Sequence, residues 1–188
     1  MTDPVTRSAA KLAALIAIPL ALLAGLLSFW RLGGFAGHRA AAPPGPAATS
    51  VVSMPVPSLN PADATMCLAF VAQLPPKLRD LPQRPVSAGG NQQNAAYGDP
   101  PVTVACGGAP AAAPADAQVW VFTGVCWYAD QSNQAQTVWT TVDRQVPIRV
   151  TMPAKYLSEG EGDWIQEFSA PIVAAVPSIA TPPTGCTR

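Results

Sequence analysis

Apolar residues first run together in this chain, then lose all pattern, and finally recur with helical and strand periods. From Leu12 to Trp30 the residues are uncharged and almost wholly apolar. As a helix rising about 1.5 Å per residue, that run reaches roughly 28 Å, the thickness of the hydrocarbon layer of a bilayer. Pro19 lies inside it, where a spanning helix tolerates proline. Between Ala40 and Pro61 the chain is rich in Ala, Pro and Ser and carries no charge. Such a stretch reads as a semi-extended spacer.

A helical period begins at Asn60-Pro61-Ala62-Asp63, which offers an N-cap, a first-turn proline and a first-turn acid. Met66, Phe70 and Leu74 then recur every four residues, with Cys67 and Val71 beside them, until Pro75-Pro76 stops the helix. Strand periods follow. Val102, Val104 and Cys106 alternate with Thr103 and Ala105. Gln118 to Ala129 is apolar on both faces and is expected at the centre of a sheet. Thr137–Val142 and Val146–Met152 are two further strands, the second expected at an edge because Pro147 cannot donate to a ladder. A last helix from Asp163 would bury Trp164, Ile165, Phe168 and Ile172, kinked by Pro171 and ended by Pro177. The order α-β-β-β-β-α predicts an α+β domain, an antiparallel sheet of about four strands flanked by two helices. The organisation expected is a cytoplasmic N-terminus (1–11), a transmembrane signal-anchor helix (12–30), an Ala/Pro-rich flexible linker (31–60) and an extracytoplasmic domain (61–188).

Composition narrows the function classes. Lys+Arg and Asp+Glu are 11 each and charged residues make up 12% of the chain, so a basic nucleic-acid binder is excluded. The single histidine, His38, precedes the domain, which removes any triad needing a histidine inside it. Arg7 and Lys11 before the apolar run are balanced by Arg31 and Arg39 after it, so charge alone does not orient the helix. The four cysteines, Cys67, Cys106, Cys126 and Cys186, all follow the run. An even set on one side of a span points to an oxidising compartment. The expected placement is therefore a single-pass plasma-membrane protein held in the bilayer through residues 12–30, with its C-terminal domain extracytoplasmic. A signal peptide cleaved near Ala40-Ala41-Ala42 is the rival.

No Cys-x-x-Cys pair is present, so zinc and thioredoxin-like chemistry is disfavoured and no cofactor or metal is expected. Of the three possible connectivities we prefer Cys67–Cys106 with Cys126–Cys186; the alternative leaves one pair as buried thiols. Trp120, Trp127, Tyr128, Trp139 and Trp164 either fill the core or form a stacking platform. Trp139, set among threonines, is the one expected at the surface. Asp99, Asp130 and Asp143 fall near strand ends or turns, where carboxylates could serve a cell-envelope hydrolase. Asp99 stands in a turn-like Tyr97-Gly98-Asp99-Pro100-Pro101, however, and Asp143-Arg144 reads equally well as an ion pair. Glu159-Gly160-Glu161-Gly162-Asp163 is an acidic turn too short for a calcium loop.

The apolar N-terminal helix, Cys67 in a helix ending Leu74-Pro75, Arg84-Pro85, Tyr97-Gly98-Asp99-Pro100-Pro101, Cys106-Gly107 and Thr140-Thr141-Val142-Asp143-Arg144 together resemble domain-of-unknown-function family 3515. Its members are small membrane-associated proteins of actinobacteria. The similarity runs from about Cys67 to Val176, and it implies an exported placement while transferring no catalytic residue. The function expected is a non-enzymatic cell-envelope module that binds an envelope protein or a cell-wall component. Its candidate surface is Tyr97, Asp99, Trp139, Asp143 and Arg144.

Overall fold

The computed structural model describes residues 18–25, 27–28, 49–87, 89–114 and 116–186, with the backbone alone at 158, 159 and 161. The chain divides into two units, Met1–Pro46 and Ala47–Arg188. In the first, residues 18–25 and 27–28 are helical, with Leu20, Leu22, Leu23 and Leu27 exposed. The rest of the expected span 12–30 lies outside the described residues, as do 1–11 and 31–48. Among the described residues no helix is long and apolar enough to cross a membrane.

The second unit is α+β, with an antiparallel sheet of eight strands rather than about four. The strands are β1 (Lys77–Leu78), β2 (Leu81–Arg84), β3 (Asn94–Tyr97), β4 (Val102–Cys106), β5 (Val119–Phe122), β6 (Val125–Asp130), β7 (Gln136–Thr141) and β8 (Ile148–Pro153). Their order across the sheet is β1-β2-β3-β4-β8-β7-β6-β5. Two meanders, β1 to β4 and β5 to β8, therefore meet at a single seam, where Cys106 pairs with Ile148 and Val104 with Val150.

Two expectations are corrected by this order. Gln118 to Ala129 is not one central strand but a hairpin, β5 and β6, at the sheet's outer side. The chain reverses at Thr123 (φ 46°) and Gly124 (φ 79°), the left-handed pair that a tight two-residue turn needs and that glycine adopts without strain. Val146–Met152 is not an edge strand. Pro147 stands just before β8, which begins at Ile148 and lies between β4 and β7. The proline's missing N–H therefore costs the ladder nothing, and its carbonyl accepts from Gly107 N at 2.9 Å.

Register decides which side chains meet. Trp127 lies opposite Thr141, Trp139 opposite Ala129 and Val150, and Val104 opposite Val150 and Ala95. Residues directly opposite share a face, so these form one continuous apolar surface. Helices cover it. Helix α1 (Pro61–Ala72) is capped as expected, the Asn60 side chain accepting from Asp63 N at 2.9 Å. It buries Cys67 and Phe70.

The final helix is instead two, α2 (Glu161–Gln166) and α3 (Ser169–Ala175). The ring of Pro171 would clash with the carbonyl of Glu167 four residues back, so the helix breaks there rather than kinking at the proline. Trp164, Ile165, Phe168 and Ile172 are buried all the same, each such side chain stabilising the fold by roughly 1.5–3 kcal/mol.

Residues 50–59, expected in the linker, pack with the second unit. Val52 bridges Val86, and Arg84 and Asn94 donate to Ser50 O and Pro55 O, both at 2.9 Å. Leu59 packs on Gly107, where a Cβ would stand 2.5 Å from its Cδ2. The segment's uncommitted carbonyls and its sparse apolar residues suffice to dock it. Two disulfides staple the unit. Cys67–Cys106 joins α1 to β4, and Cys126–Cys186 joins β6 to the C-terminal segment.

Candidate functional site

Of the five residues expected to form a surface, the structure presents only Asp99. Tyr97, on β3, is fully buried and donates to Pro75 O at 3.0 Å. Burial pushes its phenol pKa up to about 12, because the ionised form would lose its water. Trp139, in the third strand from the β5 side, faces the helices and lies 5.9 Å from the Phe122 ring. Its threonine neighbours did not mark a wet strand, since Thr137, Thr140 and Thr141 are buried too.

Asp143 and Arg144 follow β7 and are both buried, with Nε 3.3 Å from Asp143 Oδ1. Arg144 also donates through Nη1 to Val176 O at 3.2 Å and through Nη2 to Gly124 O. One guanidinium thus ties the β5–β6 turn to the end of α3. Beside it, Gln145 N donates to Pro177 O and Ile179 N to Asp143 O, so the pair anchors the C-terminal segment rather than facing a ligand.

The carboxylates are not brought together. Asp99 lies before β4, where its carboxylate is 3.6 Å from Arg84. The β4–β8–β7 register puts Asp143 at the opposite end of the same strands. Five residues of strand at about 3.3 Å each separate those ends, well beyond the roughly 5–9.5 Å between paired hydrolytic carboxylates. Asp130, on β6, accepts from Ser132 N at 3.0 Å, which lowers its pKa. Among the described residues no group of three or more His, Cys, Asp or Glu is placed to hold a metal ion.

Surface depressions among the described residues include the following three. A cleft of about 440 Å³ lies beside the Arg144 anchor, walled by Pro110, Pro114, Pro147, Ile179 and Pro183. A groove of about 390 Å³ shares Pro114 and Ala117 with it and is lined further by Asp116, Gln118, Trp120, Tyr128 and Gln131. The third, at Arg79, Asp163, Gln166 and Glu167, is closed by its own contacts. Arg79 stacks 4.6 Å from the Trp164 ring centre and pairs with Glu167 at 3.4 Å.

The groove holds the exposed tryptophan of the described residues. Trp127, Trp139 and Trp164 are at most 4% exposed, whereas Trp120 is 43% exposed. It escapes burial because β5 is the outermost strand, although it lies opposite Trp127. The signal that could have found it is Thr123-Gly124: reading that dipeptide as a hairpin turn makes Trp120 an outer-strand residue.

A family model described as "Protein of unknown function (DUF3515)" matches residues 16–181. The chain belongs to the DUF3515 family. That match begins within the apolar N-terminal run and ends in the C-terminal segment, so it covers part of the first unit of this DUF3515 protein and most of the second. No curated protein and no solved structure matches the chain.

Proposed function

We propose that this DUF3515 protein is a membrane-anchored, extracytoplasmic binding module of the cell envelope, single-pass through residues 12–30, that engages an envelope protein or a wall component without turning it over. The observation that carries the reading is the pairing of all four cysteines, downstream of the apolar run, in two disulfides. Such bridges persist in oxidising compartments and are rare in a reducing cytosol. A binding role is supported by two adjoining depressions beside an exposed tryptophan, and by the separation of Asp99 from Asp143, which leaves the carboxylate hydrolase without its pair of acids.

The test is thiol status in living cells. After trapping with a membrane-permeant alkylating reagent under denaturing conditions, the full-length chain should carry no label until a reductant is added. Labelling of all four cysteines without reductant would place the domain in the cytosol and sink the reading. A periplasmic-type reporter fused at the C-terminus should be active in the same cells.

A further inference from the structure

We propose that the Trp120 groove is a saccharide subsite, taking an uncharged, hydroxyl-rich glycan stacked on the indole; this rests on the binding-module reading and names the ligand class for it. Trp120 presents a flat apolar ring at the surface, and such a ring matches the apolar C–H face of a pyranose while its N–H stays free to bond at the rim. Around it stand Gln118 and Gln131, each able to donate and accept toward hydroxyls, together with Asp116. Tyr128 also borders the groove, but its side chain, opposite Val119, projects to the other face of the sheet from Trp120. A volume of about 390 Å³ falls within the range of roughly 300–1,000 Å³ usual for small-molecule sites.

Charge excludes the anionic alternatives. Among the described residues that line the groove, Asp116 is the one ionisable side chain besides the Tyr128 phenol, and none is Lys or Arg. A phosphorylated, sulfated or uronic polymer would therefore find repulsion and no cation to pair with. A proline-rich peptide requires an apolar groove flanked by aromatic rings. Here the apolar lining is concentrated in the neighbouring cleft, beyond Pro114 and Ala117, where none of the described lining residues is aromatic.

Support is also rigid. Trp120 sits on a strand paired to β6, opposite the buried Trp127, so its position is set by the sheet and little ordering is needed when a ligand binds.

The experiment is calorimetric titration of the purified full-length chain, in detergent, with cellohexaose, chitohexaose and a proline-rich decapeptide. Saturable binding of at least one oligosaccharide is expected, weakened about tenfold or more by Trp120→Ala, as for an exposed aromatic anchor. Trp120→Phe should lose no more than about threefold, because a flat ring remains, and Gln118→Ala with Gln131→Ala should weaken binding without touching the ring. If Trp120→Ala lowers the melting temperature, the Gln pair and the Phe variant carry the comparison. Absence of oligosaccharide binding, or equal binding by wild type and these variants, overturns the proposal. So does Trp120-dependent binding of the decapeptide alone, an outcome that removes the glycan and keeps the binding module. Cytosolic thiols, by contrast, would remove the module whatever the titration gives.

Discussion

At the scale of single residues, the side chains that looked available for binding are those that hold the fold. Tyr97 illustrates it. Its pKa is raised from 10.0 to about 12 by burial, so above pH 10 the unfolded chain releases a proton that the folded chain keeps. The stabilising contribution is complete below about pH 10 and is lost as pH climbs toward 12, by up to ~1.4 kcal/mol per pH unit. Tyr97→Phe removes the bond to Pro75 O and should cost about 1–2 kcal/mol at pH 8. Urea unfolding at pH 8, 10 and 11 should show the two proteins converging as the pH rises, since the phenylalanine variant lacks that slope.

Arg144 is the second case. Its side chain is 4% exposed and Asp143's is 11%, so Arg144→Leu strands a buried carboxylate and should cost about 3–5 kcal/mol. Adding Asp143→Asn should restore part of that loss. A double variant no more stable than Arg144→Leu would show that the hydrogen bonds to Val176 and Gly124, rather than the ion pair, carry the effect.

At the scale of elements, legibility followed local signals. Helix α1 could be read because Asn60, Pro61 and Asp63 state its start within four residues, and β4 because its alternation is clean. β1 to β3 could not. Leu81-Pro82-Gln83-Arg84 and Asn94-Ala95-Ala96-Tyr97 hold no β-branched residue, and their strand state comes from pairing with neighbours. The β5–β6 hairpin was hidden because an apolar run of twelve residues outweighed the turn at its middle. Read as one strand, the run places Trp120 in the core and leaves Trp139 as the surface candidate. Hence the aromatic of the groove was recognised as a candidate platform, while Asp116, Gln118 and Gln131 carried no signal at all until the hairpin brought the strand beside them.

The disulfides act at this scale too. Replacing Cys126 and Cys186 together by serine should cost about 2–4 kcal/mol and release the segment that bears Pro183. Limited proteolysis should then cut within residues 177–186 before any other site. Cleavage first in the loop between β4 and β5 would show that the segment is held by Arg144 and its neighbours instead.

At the scale of the whole molecule, each meander has its own staple: Cys67–Cys106 closes on the end of the first, and Cys126–Cys186 holds the second. The pairs are also consecutive in the sequence. If the domain is exported as proposed, a chain emerging N-terminus first can oxidise its first two thiols while the third is still enclosed, and the last two find no competitor when they appear. Under that ordered emergence fewer mispaired bridges should have to be undone by exchange. Refolding from the fully reduced, full-length state offers all three connectivities at once. It should accumulate scrambled species that synthesis-coupled oxidation avoids, a difference that mass mapping of the early products can score.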